Sequence, residues 1–285
     1  MLCLYFNLNY FLINSDKNQN IIDYLTQNIP ATKGAVLSAL KNKDILVNNT
    51  RIKENIDIFC GDKINIFIEE NKIKKYFSII YEDDNIVVVD KEKGIEVCDG
   101  ENNLINYLKK DYKNIFAVHR IDRNTDGLVI FALNEKAKNS LENAIKQNKV
   151  DKFYLAEVVG VLKNNKAEMV AYLKKDSKKS LVKVFGSKVD GSSLIKTAYE
   201  VVERKAKTTI VKVQLFTGKT HQIRAHFAFI GFPLVGDGKY GDYEFNKKVK
   251  ESSQKLTAYK LAFKFDRGDI LEYLNNLQFE IKPKW

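Results

Sequence analysis

Arginine is nearly missing from this basic chain of 285 residues: of 47 positively charged side chains, 41 are lysine and 6 arginine. Cysteine is as sparse. Cys3, Cys60 and Cys98 are odd in number, far apart and in no metal or redox spacing, which argues against a disulfide framework and for free thiols in a reducing compartment. Long apolar runs are absent too: no stretch approaches the roughly 20 residues needed to span a bilayer, so no membrane partner is expected. Met1 to Tyr10 lacks a basic leader and interrupts its apolar residues with Asn, so it reads as a strand rather than a signal peptide, and the expected compartment is the cytoplasm. No internal repeat is visible.

What remains is ample for folding. With 45% apolar residues the chain can bury a sizeable core, as one large domain or a large and a small one. A formal charge of +11 favours a polyanionic partner, because phosphates neutralised by Lys and Arg release condensed counterions. Abundant Lys, Asn and Ile with few Gly and Pro also fit a biased genome composition, so charge alone leaves nucleic-acid binding open.

A first module is expected over residues 1–69. Ile21, Ile22, Leu25 and Ile29 recur at helical spacing before Pro30, and Val36, Leu37 and Leu40 follow Thr32, a candidate N-cap. Asp44–Val47 and Arg51–Lys53 flank Asn48, Asn49 and Thr50, where Asn can take a positive φ, and Gly61-Asp62 precedes the alternating Lys63–Ile68. The charged stretch 70–76 is the expected linker. In residues 77–285, strands are predicted around Ser78–Tyr81, Asn85–Asp90, Leu128–Leu133, Tyr154–Val161, Ala198–Val202 and Thr208–Leu215, with a helix carrying Ala137, Leu141, Ala144 and Ile145. Strand runs with scattered helices predict an α+β sheet rather than a regular βαβ array. The basic run Lys174–Lys179 reads equally as a phosphate-gripping loop or a solvated hairpin tip.

The scarce arginines are not scattered. Arg120, Arg123 and Arg224 share two short segments with all three histidines, His119–Gly127 and Thr217–His226. A lysine-biased chain keeps arginine where a planar, bidentate, permanently charged donor is needed. In the first segment Asp122 stands between Arg120 and Arg123, and a neighbouring guanidinium stabilises an ionised carboxylate, suiting it to act as nucleophile or base. Thr125 can bond the local backbone, Gly127 relieves the turn, and the strand behind anchors the loop. From pattern alone a surface ion-pair loop is equally admissible. In the second segment Gly218 turns the chain, Thr220 is a candidate cap, Ile223, Phe227 and Ile230 form a stripe, and Gly231 closes a helix. His221 and Arg224 would share a face near its start, where Lys219, Arg224 and free N–H groups could hold a phosphate or a carboxylate. Zinc fits poorly, since His221 and His226 are five apart and no Cys accompanies them.

At this point the chain resembles a known family. His119–Leu128 is similar to the catalytic motif of RluA-type pseudouridine synthases, Lys152-Phe153-Tyr154-Leu155-Ala156 to their tyrosine motif, and Thr217–His226 with Gly231–Gly241 to a further signature. The likeness covers about residues 77–285. Asp23-Tyr24-Leu25, Val47–Thr50 and Gly61–Ile64 resemble the S-four RNA-binding domain, with Ile21 and Lys33 departing from its usual basic positions. The resemblance implies a pseudouridine synthase fold, with a mixed, largely antiparallel sheet and flanking helices. It also implies isomerisation of uridine to pseudouridine in RNA, without cofactor or metal, by a monomer acting most naturally on large-subunit ribosomal RNA, with transfer RNA as the alternative. Asp122 then matches the catalytic aspartate, Arg224 the arginine pairing with it, Tyr154 the tyrosine at the target base, and Arg120 the residue filling the space of the flipped-out base. His119, Thr125, Lys219 and His221 would support the loops or the RNA. Asp126 departs from the family's more usual Ser and is expected to point outward. Two rivals stay open: a ribonuclease-like site using His119 and His221 as acid and base, and a non-catalytic RNA-binding or ribosome-assembly factor.

Overall fold

The computed structural model describes residues 8–69, 75–100, 103–176 and 181–285. Cys3, most of the expected linker and the end of the basic run at 177–180 lie outside the described residues. Two compact units divide the chain, Met1–Tyr76 and Phe77–Trp285.

In the first unit local chemistry sets both helices. The Asn20 side chain accepts from Ile22 N–H (3.1 Å) to start Ile21–Asn28, and Thr32 accepts from Ala35 N–H (3.1 Å) to start Lys33–Lys41. Asn48 and Asn49, with φ of 49° and 67°, turn the hairpin between Ile45–Val47 and Thr50–Ile52, as a two-residue turn with both φ positive requires. These strands continue an antiparallel sheet through Lys63–Glu69 to Leu8–Asn14. Ile64, Ile66 and Ile68 alternate inward and meet Ile21, Leu25, Val36 and Leu40 in one core. Each fully buried side chain of this size contributes roughly 1.5–3 kcal/mol.

The second unit is built on an eleven-stranded sheet. Its path runs Leu181–Phe185, Lys166–Asp176, Ser193–Arg204, Thr208–Leu215, Val150–Val159, Leu256–Phe263, Asp126–Ala132, Ile86–Lys91 and Phe77–Glu82, with Gln278–Glu280 and Phe116–Ala117 beside it. Among these, only Asp126–Ala132 and Leu256–Phe263 pair in parallel, so the fold is α+β on a largely antiparallel mixed sheet. Gly127 makes that pairing possible: its φ is +115°, and a Cβ there would lie 2.3 Å from the Ala258 carbonyl oxygen. Asp126–Ala132 and Ile86–Lys91 are buried along their whole length. The helix Glu135–Lys146, capped by Asn134, lays Ala137, Leu141 and Ala144 on Leu128 and Ile130. Among the described residues no helix is long and apolar enough to cross a membrane.

The strands Lys166–Asp176, Leu181–Phe185 and Leu256–Phe263 escape a periodicity reading. Lys166–Asp176 alternates buried Met169, Ala171 and Leu173 with Glu168, Val170 and Tyr172, so lysines, an alanine and a methionine blur its two faces. Lys174 and Lys175 of the basic run belong to the end of this strand.

Candidate active site

The loop carrying His119–Thr125 is gripped from below. Lys91 is fully buried, and its ammonium donates to the carbonyls of Glu92 (2.8 Å), Ile95 (3.0 Å) and Arg123 (3.2 Å). Burial pushes the Lys91 amine down to about 8, against the fields of Asp126, Glu96 and Asp122. Gly94 N–H also donates to Arg123 O (2.8 Å), and Arg123 Nε returns to Gly94 O (3.1 Å). His119 Nε2 accepts the Ile130 N–H at 3.1 Å, so the loop is stitched to the central strand. That bond places the ring proton on Nδ1, and burial lowers the pKa of His119 to about 3. A histidine so held cannot exchange protons near neutrality, which removes half of the acid–base pair a ribonuclease-like site needs.

Asp122 lies at the opening of this loop and takes its guanidinium from across the fold. Arg224 Nη1 donates to Asp122 Oδ2 at 2.9 Å, although 102 residues separate them. The flanking arginines are turned elsewhere, correcting the local reading: Arg120 pairs with Asp99 and Glu96, and Arg123 with the Gly94 carbonyl. Thr125 is likewise not capped locally, because its hydroxyl accepts from Gln254 Nε2 at 2.7 Å.

Asp126 does not point outward. It is 1% exposed, accepts from Thr257 Oγ1 (3.0 Å) and faces the Lys93 ammonium at 4.0 Å. Burial raises its pKa, with Lys93 and Thr257 opposing. Thr257 Oγ1 in turn accepts from the indole Nε1 of Trp285 (2.8 Å), which extends the chain of bonds beneath the loop.

Arg224 is set in the helix Gln222–Phe229 between two carboxylates. Asp237, whose side chain is wholly buried, takes Nε at 2.6 Å and Nη2 at 2.9 Å in a fork, leaving Nη1 for Asp122. Asp237 Oδ1 also accepts from the N–H groups of Lys239 (2.8 Å) and Tyr240 (3.1 Å). Burial opposes charge on both partners; mutual bonding outweighs it, raising Arg224 above the usual guanidinium range and lowering Asp237 below the usual carboxylate range. Tyr240 lies under Arg224, with its ring centroid 5.3 Å from Cζ, and its hydroxyl meets His221 Nδ1 at 2.9 Å.

The helix start differs from expectation. His221, not Thr220, is the capping residue, in the left-handed region at φ 53°, and no side chain caps the helix. His221 therefore precedes the helix that carries Arg224, although both residues line the same cleft. The turn is held instead by Gln222, whose Oε1 accepts from Lys219 N–H (3.1 Å) and the Thr217 hydroxyl (2.8 Å). Lys219 is on the exposed rim.

A cleft of about 270 Å³ opens over Asp122 and Arg224, lined also by Arg120, Lys152, Tyr154, Lys219 and His221. Tyr154 is buried, and burial raises its phenol pKa, reinforced by the Asp122 charge. A single carboxylate beside a fixed guanidinium, an aromatic ring and cations at the rim suit a planar, polyanion-borne substrate.

The family model for RNA pseudouridylate synthase matches residues 85–229, a span from the strand Ile86–Lys91 to the end of the Arg224 helix. The chain belongs to the RNA pseudouridylate synthase family. It is 32% identical over 254 residues to an uncharacterized RNA pseudouridine synthase of Bacillus subtilis, covering 82% of each chain. It is 29% identical over 274 residues to ribosomal large subunit pseudouridine synthase C of Escherichia coli, covering 88% of this chain and 86% of that one. In structure it is similar to human RNA Pseudouridylate Synthase Domain Containing 1, with a TM-score of 0.59 at 25% identity over 67% of this chain and 79% of that one. The protein is thus an RNA pseudouridine synthase, an isomerase acting on uridine in RNA.

Of the residues predicted for the synthase site, Asp122, Arg224, Tyr154, Arg120, His119, Thr125, Lys219 and His221 all line one cleft. Asp237 and Lys91 were missed. The Gly236-Asp237 pair was the available signal for the first: at φ +76° a Cβ on Gly236 would lie 2.1 Å from Ser253 O, which marks a backbone packed to place the next side chain.

Proposed function

We propose that this synthase modifies uridine in large-subunit ribosomal RNA and that Asp122 carries the chemistry. The observation behind this is the Asp122–Arg224 pair at 2.9 Å within the cleft that Tyr154 lines. Arg224 binds only Oδ2, so Oδ1 is left for the ribose, as nucleophile at C1′ or base at C2′. Tyr154 would stack on the extruded uracil and Arg120 would fill the gap left in the RNA, compensating lost stacking worth a few kcal/mol. For that, Arg120 must exchange Asp99 and Glu96 for RNA. His119 and Thr125 hold the Asp122 loop, His221 holds the Arg224 turn through Tyr240, and Lys219 meets phosphate. The relative of ribosomal large subunit name at 29% identity supports the choice of target. On this reading residues 1–69 form an S-four-like RNA-binding domain, 70–76 a linker and 77–285 the catalytic domain of a cytoplasmic monomer.

Mapping pseudouridines in large-subunit ribosomal RNA from cells with and without the protein tests the target, the expected result being sites lost with the gene. Sites lost from transfer RNA instead would move the target there. Asp122→Asn should abolish product with RNA binding retained. Product from a folded Asp122→Asn protein would refute the chemistry.

A further inference from the structure

Lys152 stands out among the half-buried cleft residues because, among the described residues, no ion pair answers its charge. It is two residues from Tyr154 on the strand Val150–Val159, so alternation puts both on one sheet face, and both line the cleft with Asp122. Among the described residues the Lys152 ammonium makes no hydrogen bond, ion pair or ring contact. The neighbouring carboxylate, Asp151, is on the opposite face and is taken by Lys264 at 2.8 Å and Gln214 Nε2 at 3.3 Å. Lys152 is half-buried all the same, between Leu215 and Leu261 on the flanking strands. Burial lowers its pKa, and its charge is felt at His119 on the cleft wall. Holding a cation there with only the field of Asp151 and no paired carboxylate costs stability, a cost offset when something negative enters. Among the described residues of the wall, Arg224 is shared by two carboxylates and Arg120 by two more, and Lys219 is exposed on the rim, so Lys152 is the half-buried cation left without an ion pair.

We propose that Lys152 binds a carbonyl oxygen of the target uracil and stabilises the anion the ring becomes during the reaction. This rests on the reading of Asp122 as the group that acts at the ribose. When the C1′–N1 bond breaks, its electron pair stays on N1 and spreads onto O2 and O4. Asp122 meanwhile either bonds to C1′ or removes the C2′ proton. The ring carries one negative charge until C5 bonds to C1′, as the Asp122–C1′ bond breaks or the proton returns from Asp122 to C2′, after which C5 loses its proton and N1 gains one. Asp122, having by then bonded C1′ or taken the C2′ proton, has no positive charge with which to offset it. A fixed cation aimed at the developing charge strengthens on going to the transition state, and removing one such donor typically slows an enzyme about 100-fold.

The test is single-turnover pseudouridine formation at saturating RNA, using any transcript the parent protein modifies, with RNA affinity measured in parallel at several salt concentrations. Lys152→Met should lower the rate about 100-fold and change affinity less than threefold. Lys152→Arg, which keeps the charge, should recover most of the rate, and it serves as the folded comparison if Lys152→Met is unstable. A loss of affinity with a salt slope reduced by about one and an unchanged rate would mean a phosphate contact, overturning the proposal. So would an unchanged rate and affinity, or equal rate losses in the Met and Arg variants. Parent protein that modifies transfer RNA but not ribosomal RNA would sink only the choice of target, and active Asp122→Asn only the role of Asp122.

Discussion

Removing the Asp237 carboxylate should cost this protein both stability and rate. The perturbation is Asp237→Asn, which keeps the volume but deletes the charge and sets an amide N–H₂ against a guanidinium. The carboxylate takes four bonds of 2.6–3.1 Å at a wholly buried site, two of them from Arg224. Breaking a buried pair from one side costs about 3–5 kcal/mol because the other charge is stranded. Arg224 retains Asp122, so the low end, about 3 kcal/mol, applies. For a unit of this size each kcal/mol moves the midpoint by roughly 2–4 °C, giving a fall of about 6–12 °C in its calorimetric transition. The rate should fall further than stability explains at a temperature where the variant is fully folded. The fork that aims Nη1 at Asp122 is gone, and a misplacement near 1 Å can cost about 100-fold. Asp237→Glu, which keeps the charge in a tighter space, should recover more rate than Asp237→Asn. If Asp237→Asn melts within about 2 °C of the parent and keeps its rate, Arg224 is positioned by something else and the reasoning fails.

Acid should destabilise the second unit earlier than its carboxylates would. His226, buried against Thr197 at 3.1 Å, has its pKa lowered by burial to about 4, and His119 to about 3. A depressed histidine binds its proton in the unfolded chain first, so stability is intact above about 6.5 and is lost as pH falls toward 4, by about 3 kcal/mol for His226. Urea melts from pH 7 to pH 4 check this, and His226→Gln should flatten the slope. Gly127→Ala should destabilise by several kcal/mol through both its φ and the 2.3 Å approach to Ala258, and an unchanged melting temperature would refute the parallel pairing as the reason for glycine.

The parts legible in the sequence are those that neighbours in the chain dictate. Thr32 as a cap and Asn48-Asn49 as a turn follow from side chains acting within three residues, and the Glu135–Lys146 helix from its apolar spacing. The concentration of arginine and histidine located both halves of the cleft, because a lysine-rich chain spends arginine sparingly. Their partners were invisible, since these bonds span long stretches: Lys91 to Arg123 over 32 residues, Gln254 to Thr125 over 129 and Thr257 to Asp126 over 131. Asp126 was misread because a carboxylate is seldom buried without a cation, and Lys93, which supplies one, is invisible as such in the sequence. Thr220 was misplaced as a cap because the left-handed turn at His221 rests on Gln222 bonding backward, a tertiary arrangement rather than a local preference.

The bonds beneath the Asp122 loop end in the chain's single tryptophan. The Trp285 indole donates to Thr257, which donates to Asp126, four residues from Asp122. Indole emission responds to hydrogen bonding at Nε1, and no second tryptophan competes with the signal. The molecule therefore carries a built-in fluorophore wired to the underside of its reactive loop, and RNA capture that shifts this loop can be followed by emission without attaching a label.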